Sequence, residues 1–196
     1  MANVSKLLHT TVSDETFLLN LEANDALLKA AKTKIREHLR ATFAASSEAY
    51  FGEAVAPKFF TQGSCAYKTL NDPAWPPTQQ KDLDDGCYLP LGFIRGGKPS
   101  KAAETFFQFV DTALMELAKD EGWTFKRKPT CARLVITADA HIDVPLYAIP
   151  DHEFALMQKS IAANRMLAKD SKGRPDTWEA LPSNAVLLAH RDEDWI

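Results

Sequence analysis

Two aspartates separated by one residue, Asp82 and Asp84, are the side chains of this sequence best placed to do chemistry. They lie in a segment that reads as extended, and side chains on a strand alternate between its two faces. The two carboxylates therefore project together, roughly 6.5–7 Å apart at the backbone. At that spacing they can converge on metal ions that lie about 3.5–4 Å apart. Asp85 is expected on the opposite face, outside this site.

A third aspartate, Asp143, interrupts an otherwise apolar strand-like segment. A carboxylate in such surroundings is costly unless something pairs with it. If its strand lies beside the one that carries Asp82 and Asp84, the three carboxylates form an oxygen-rich site. Such a site suits Mg²⁺, which accepts a few carboxylates and keeps room for phosphate oxygens. The alternative is an ion pair between Asp143 and a nearby arginine such as Arg133.

A Gly-Ser pair lies upstream of these acids, where Gly63 and Ser64 follow the strand candidate Lys58–Gln62. Glycine lets the backbone approach a phosphate closely, and the adjacent N–H groups and hydroxyl can hold anionic oxygens. A lone Gly-Ser pair has no specificity. Its interest comes from its position shortly before the paired aspartates.

The elements that must position these groups read as a mixture of helices and strands. Apolar residues at three- and four-residue spacing, from Leu28 to Phe43, predict a long N-terminal helix, and a second helix is predicted from Ser100 to about Glu121. The predicted strands are Lys58–Gln62, Lys81–Phe93, Trp123–Lys128, Cys131–Ala138 and His141–Ala148. A last helix is predicted to start at Pro150. This order favours an α+β fold, with a mixed sheet and helices packed mainly on one face.

The other face of the long N-terminal helix is basic, and the sequence leaves its role open. It carries Lys29, Lys32, Lys34, Arg36 and Arg40. These side chains form either a solvated face or a surface that faces an anion near a nucleotide. The net charge of −3 provides no general basic field, so a long nucleic acid is not an expected partner.

The composition is that of an ordinary globular protein, with 45% hydrophobic and 25% charged residues. No stretch approaches the roughly 18 apolar residues of a membrane span, and the N-terminus lacks the apolar core of a secretory signal. The three cysteines, Cys65, Cys87 and Cys131, are widely spaced. They predict free thiols in a reducing, cytoplasmic compartment rather than a disulfide framework or a zinc cluster.

The whole set of motifs resembles a known superfamily, the DNA polymerase β-like nucleotidyltransferases, in which a Gly-Ser pair precedes an Asp-x-Asp and a third aspartate on a later strand. A closer resemblance, from about Phe60 to about Arg165, is to the cGAS/DncV-like nucleotidyltransferases of bacteria, in particular the DncV-type dinucleotide cyclases. The motifs that carry it are Thr61-Gln62-Gly63-Ser64, Tyr67-x-Thr69-Leu70-Asn71, Asp82-x-Asp84-Asp85-Gly86, Thr130-Cys131-x-Arg133 and the run from His141 to Pro150.

The resemblance implies a polymerase β-like core that joins two nucleoside triphosphates, ATP and GTP, into a cyclic dinucleotide such as 3′,3′-cyclic GMP–AMP, which signals in anti-phage defence. It implies two Mg²⁺ ions, with Mn²⁺ as a substitute. Asp82 and Asp84 would bind both ions, and Asp143 would bind the ion that activates the attacking 3′-hydroxyl. His141 is expected only to support the site.

The resemblance also implies nucleotide contacts. Gly63 and Ser64 would hold the donor triphosphate, and Gln62 belongs to the same nucleotide-binding set. Tyr67 would stack near a base or ribose, or is simply a packed tyrosine. Arg133 would reach a phosphate, or pairs with a nearby acid instead.

The expected domain organisation has three parts. Residues 1–55 form a helical segment packed on the core, residues 56–168 form the catalytic core, and residues 169–196 connect toward a helical second domain that is expected to be absent here. The expected partners are the triphosphates, that helical domain and regulators of the defence system. Two alternatives stay open: a truncated nucleotide-binding core without turnover, and a nucleotidyltransferase that acts on an RNA end.

Overall fold

The computed structural model describes residues 21–66, 70, 78–90, 92, 99–156, 159 and 186–188. Its helices are α1 (Leu21–Phe51), α2 (Gly63–Ala66) and α3 (Pro99–Glu121). Its strands are β1 (Lys58–Gln62), β2 (Lys81–Pro90), β3 (Thr124–Arg127), β4 (Cys131–Thr137), β5 (Ala140–Ile149) and β6 (Val186–Leu187). Residues 151–156 are also helical.

The strands form one mixed sheet in the order β1-β2-β5-β4-β3, with β6 paired to β5. β2 and β5 are parallel, and the other pairings among the described strands are antiparallel. A parallel pair needs a crossover connection, which α3, β3 and β4 provide along the chain. The central pair therefore brings together two segments that are far apart in the sequence.

The two long helices cover one face of this sheet, called here the helix face. The apolar stripe of α1 is buried as predicted, and so is the inward side of α3. The core includes Leu28, Ile35, Leu39 and Phe43 of α1, Phe106, Val110 and Leu114 of α3, Leu83, Cys87 and Leu89 of β2, and Ile142, Val144 and Leu146 of β5. The predicted α+β fold, with a long N-terminal helix and helices on one face, is confirmed.

The element ends differ from the predictions by a few residues. β2 ends at Pro90, whereas the prediction ran to Phe93, which lies outside the described residues. Phe154 is buried in the helical stretch 151–156, close to the predicted helix start at Pro150. The remainder of that predicted helix and most of the predicted connector 169–196 also lie outside the described residues.

The basic side of α1 contacts the protein itself. Arg36 donates to both carboxylate oxygens of the fully buried Asp85, at 2.7 Å from Nε and 2.5 Å from Nη2. Thr61 donates to the same carboxylate at 3.1 Å, and Lys32 donates to Thr61 at 2.9 Å. Asp85 thus points to the helix face, as the alternation predicts. Neither sequence interpretation of the basic residues included a protein carboxylate as the partner of Arg36.

The composition led to expectations about the cysteines and about membrane-spanning segments. Cys65, Cys87 and Cys131 are free thiols, and burial raises the pKa of both Cys87 and Cys131. Among the residues that the structure describes, no helix combines the length and the apolar character needed to cross a membrane.

Candidate active site

The sheet face opposite the helices, called here the site face, carries the predicted acids in one lateral row. Gln62 of β1 is paired with Asp84 of β2, Asp84 with Asp143 of β5, and Asp143 with Arg133 of β4. Residues that are lateral neighbours share a face of the sheet. In the next row Asp82 is paired with His141. The two strands whose adjacency the sequence could only suppose are therefore direct neighbours.

The three carboxylates share one electrostatic environment. The Asp82 side chain is 46% exposed, whereas that of Asp143 is 10% exposed. The pKa of Asp84 is raised from 3.8 to about 6, first by burial and then by the neighbouring carboxylates of Asp82 and Asp143, against smaller effects of His141 and Arg133. A nearby cation stabilises the ionised form of a carboxylate in such surroundings.

The Gly-Ser turn lies directly against these acids. Gly63 has a φ of 59°, and a Cβ at this position would lie 2.5 Å from Oδ2 of Asp84. The carboxylate thus occupies the space above the glycine, and the backbone conformation is one that other residues adopt at a cost. The Ser64 hydroxyl donates to the carbonyl of Asp82 at 3.4 Å. The juxtaposition expected from the sequence is present.

Arg133 forms an ion pair with Asp143, which is one of the two alternatives that the sequence left open. Its Nε and Nη2 atoms donate to the two carboxylate oxygens at 2.6 and 2.7 Å. This pairing raises the pKa of Arg133. Each carboxylate oxygen has a second lone pair, so the ion pair leaves Asp143 able to accept a further ligand. A contact between Arg133 and a phosphate stays a prediction.

A histidine joins the acids. One ligand atom each from Asp82, His141 and Asp143 lies within 4.8 Å of the others. The Nε2 atom of His141 is 3.0 Å from Oδ1 of Asp82 and 4.0 Å from Oδ1 of Asp143. Neither His141 Nε2 nor Asp82 Oδ1 has a hydrogen-bond partner among the described residues. Two buried acceptor atoms in this arrangement fit a divalent cation.

Gln62 is held by two tyrosines that the sequence analysis missed. Its amide Nε2 donates to the hydroxyl of Tyr88, and the Tyr147 hydroxyl donates to its Oε1 at 3.1 Å. The two rings are stacked with centroids 4.7 Å apart. Gly86 pairs in register with Phe60. A Cβ at position 86 would lie 2.7 Å from the Gln62 amide nitrogen.

Position in the strands could have revealed part of this site. Tyr88, Gly86, Asp84 and Asp82 alternate along β2, so they share the site face. By the same rule His141 shares a face with Asp143. The last residue of the predicted set, Tyr67, lies outside the described residues.

A mixed sheet that has helices on one face, and three acids beside a Gly-Ser turn on the other, defines a nucleotidyltransferase of the polymerase β-like class. Residues 57–147 match the family model described as "Cyclic GMP-AMP synthase DncV-like, nucleotidyltransferase domain". Residues 57–147 are therefore similar to the nucleotidyltransferase domain of the DncV-like family, as the motifs of the chain suggested.

Known relatives agree with this family. The chain is 43% identical over 156 residues to a cyclic GMP-AMP synthase of Vibrio cholerae, across 72% of this chain and 35% of the relative. The chain thus spans about a third of the length of the curated relatives it matches.

Solved structures of the Vibrio cholerae DncV enzyme have a similar fold. One, in complex with the linear intermediate pppA(3′,5′)pG, is 27% identical with a TM-score of 0.65 and covers 90% of this chain and 53% of that one. Another is a variant with one aspartate replaced by asparagine, in complex with ATP, GTP and a third ligand. It is 28% identical with a TM-score of 0.67, across 90% of this chain and 54% of that one.

Proposed function

We propose that the chain is the catalytic core of a Mg²⁺-dependent nucleotidyltransferase that joins ATP and GTP into a cyclic dinucleotide, such as 3′,3′-cyclic GMP–AMP, in bacterial anti-phage signalling. The observation that carries this proposal is the lateral pairing of Asp84 with Asp143, one step from Asp82 and against the Gly63 turn. The relatives support it, because the Vibrio cholerae enzyme is named for cyclic GMP-AMP and holds a linear dinucleotide intermediate.

The proposed reaction is the attack of a 3′-oxygen on an α-phosphorus. The new P–O bond forms as the bond to pyrophosphate breaks, and a second round on the linear product closes the ring. Asp82, Asp84 and Asp143 would hold the cations. When bound, divalent cations stabilise the charge on the entering and leaving oxygens and lower the pKa of the attacking hydroxyl.

The nucleotide contacts come from the Gly-Ser turn and its neighbours. Gly63 brings the backbone close to the acids, and a triphosphate that lies there would meet backbone N–H groups. The 3.4 Å hydrogen bond of Ser64 is long, so a phosphate oxygen can replace it at little cost. Gln62, held by its two tyrosines, is proposed to orient the same nucleotide, together with Tyr67 and Arg133.

The direct test is incubation of the 196-residue chain with MgCl₂ and radiolabelled ATP and GTP, with separation of linear and cyclic products. Asp82→Ala and Asp84→Ala are expected to abolish product formation while circular dichroism shows an unchanged fold. Asp120→Ala, an exposed aspartate on α3, is the matched control and keeps full activity. Turnover retained in Asp84→Ala would remove this residue from the mechanism.

A second candidate function is nucleotide binding without turnover. It is favoured by the coverage of the relatives, since the chain matches 35% of the Vibrio cholerae synthase. In the proposed organisation a helical second domain supplies further contacts to the nucleotides. Equilibrium binding of ATP and GTP with no linear or cyclic product would support this candidate. Addition of an RNA primer tests the remaining alternative, which is extension of an RNA end. The net charge of −3 argues against that alternative.

A further inference from the structure

A chain of hydrogen bonds orients the ring of His141. The side-chain Nε2 of Gln80 donates to the carbonyl of Ala138 at 2.9 Å. The other amide atom of Gln80, the acceptor Oε1, therefore faces His141 Nδ1, at 3.1 Å. Since Oε1 can only accept, Nδ1 carries the proton. The second ring nitrogen, Nε2, is then left with a lone pair.

That lone pair faces the acids from a buried position. His141 is only 5% exposed, and its Nε2 lies 3.0 Å from Oδ1 of Asp82 and 4.0 Å from Oδ1 of Asp143. Among the described residues, no hydrogen bond reaches Nε2 or that Asp82 oxygen. In the neutral ring these two electron-rich atoms repel each other unless a metal ion or a proton lies between them.

The spacing fits one ion. Two ligand atoms that each lie about 2.1 Å from a metal at a right angle are about 3 Å apart. A ligand histidine whose other nitrogen donates to a fixed acceptor is the arrangement that proteins use to hold an imidazole toward a metal. Gln80 provides that acceptor here.

We propose that His141 Nε2 is itself a metal ligand, beside carboxylate oxygens of Asp82 and Asp143, and that it gives the site a preference for Mn²⁺ and Co²⁺ over Mg²⁺. Mg²⁺ is a hard cation that prefers oxygen. Imidazole suits the later first-row ions, and affinity at such sites rises from Mn²⁺ to Co²⁺. This inference deepens the proposed function. It rests on that function only because both involve Asp82 and Asp143.

The competing explanation is a protonated His141 that forms an ion pair with Asp82. It requires protons on both ring nitrogens, and it predicts that an added metal ion does not reach Nε2. The metal titrations described next separate the two explanations.

The main test measures metal binding alone, without nucleotide, by calorimetric titration of Mg²⁺ and Co²⁺. In His141→Asn the Co²⁺ affinity is expected to fall by at least about tenfold, whereas the Mg²⁺ affinity changes by about threefold or less. His152→Asn, whose side chain is 76% exposed, is the matched control and leaves both affinities unchanged. Equal loss of both affinities, or no loss of Co²⁺ affinity, in a folded His141→Asn variant would overturn the proposal.

A second measurement needs no substitution at His141. Addition of diamagnetic Zn²⁺ to the unaltered chain is expected to shift the Nε2 resonance of His141. An unmoved resonance at saturating Zn²⁺ would contradict the assignment. Failure of the proposed function looks different: the chain would bind Co²⁺ through His141 yet form no dinucleotide. If the chain forms a dinucleotide but binds Co²⁺ equally well without His141, this inference is contradicted and the proposed function is not.

Discussion

The two faces of the β2–β5 pair treat charge in opposite ways. On the helix face most side chains are apolar, and they are buried. The carboxylate of Asp85, one of the few polar groups there, is neutralised within the protein by Arg36. On the site face three acids lie together, and Arg133 pairs with one of them. Strands β2 and β5 therefore carry a neutralised carboxylate on one face and an excess of negative charge on the other. The excess of negative charge is on the side that carries the proposed metal site.

The largest effect on the free energy of unfolding is expected when the ion pair between Arg36 and Asp85 is broken. Arg36→Met leaves the buried Asp85 carboxylate with Thr61 as its remaining donor among the described residues, and such losses cost about 3–5 kcal/mol. Urea unfolding followed by circular dichroism measures the loss. The double variant Arg36→Met/Asp85→Leu removes both charges and recovers most of it.

The matched control for this pair lies two residues earlier on α1. Lys34 pairs with Glu121 at 2.5 Å, but the two side chains are 52% and 28% exposed. Lys34→Ala is therefore expected to cost about 1 kcal/mol or less. If Arg36→Met cost no more than Lys34→Ala, the contrast between a buried pair and an exposed pair would fail.

An intermediate effect is expected at the turn beside the acids. Gly63 and Gly52 both have positive φ, 59° and 77°, so an alanine at either position strains the backbone by about 1–2 kcal/mol. Only at Gly63 does the added Cβ meet Asp84, at 2.5 Å, because the space around Gly52 is open. Gly63→Ala should therefore also weaken Mn²⁺ binding about tenfold, and Gly52→Ala should not. Calorimetric titration decides, and equal Mn²⁺ affinity in both variants would contradict the contact.

The smallest effect concerns the balance of charge on the site face. The pKa of Asp84 is raised in the folded chain from 3.8 to about 6, so folding favours its protonated form. As far as this group decides, the metal-free chain gains stability as the pH falls through about 6 toward 3.8. Asp84→Asn removes this dependence and is expected to raise Tm by a few degrees at pH 8.

With Mg²⁺ present, the unaltered chain is expected to become more stable than the Asp84→Asn variant at pH 8. Mg²⁺ needs the ionised carboxylate, so its stabilisation of the unaltered chain is largest above pH 6 and is lost as the pH falls through 6. Thermal unfolding with and without MgCl₂ between pH 5 and 8 checks both trends. A metal-free Asp84→Asn variant less stable than the parent at pH 8 would show that the acids do not repel one another.

Strand alternation predicted much of the site, because it depends on neighbouring residues alone. It placed Asp82 and Asp84 together and Asp85 on the other side. The adjacency of Asp143 depends on strand order, which periodicity does not report, and the motif resemblance supplied it. The choice between a phosphate and Asp143 as the partner of Arg133 was left open, since it depends on the register of β4 against β5.

Contacts between distant segments escaped the sequence. Hydrophobic spacing identified the buried stripe of α1, but not how the helix is turned over the sheet, so the contact of Arg36 with Asp85 was missed. Gln80 precedes β2 and meets His141 only because β2 and β5 pair in parallel. The hydrogen bonds that Gln62 makes with Tyr88, to which it donates, and with Tyr147, from which it accepts, likewise join three strands.

The parallel pairing of β2 with β5 also bears on how the chain reaches its native form. All of α3, β3 and β4 lies between these strands in the sequence, and such non-local pairings form after local ones have been made. A compact intermediate with its helices and local hairpins in place would still keep the acids on separate segments. Affinity for a divalent ion at the proposed site is thus expected only of the completed topology, and it would distinguish the native protein from collapsed forms with similar helix content.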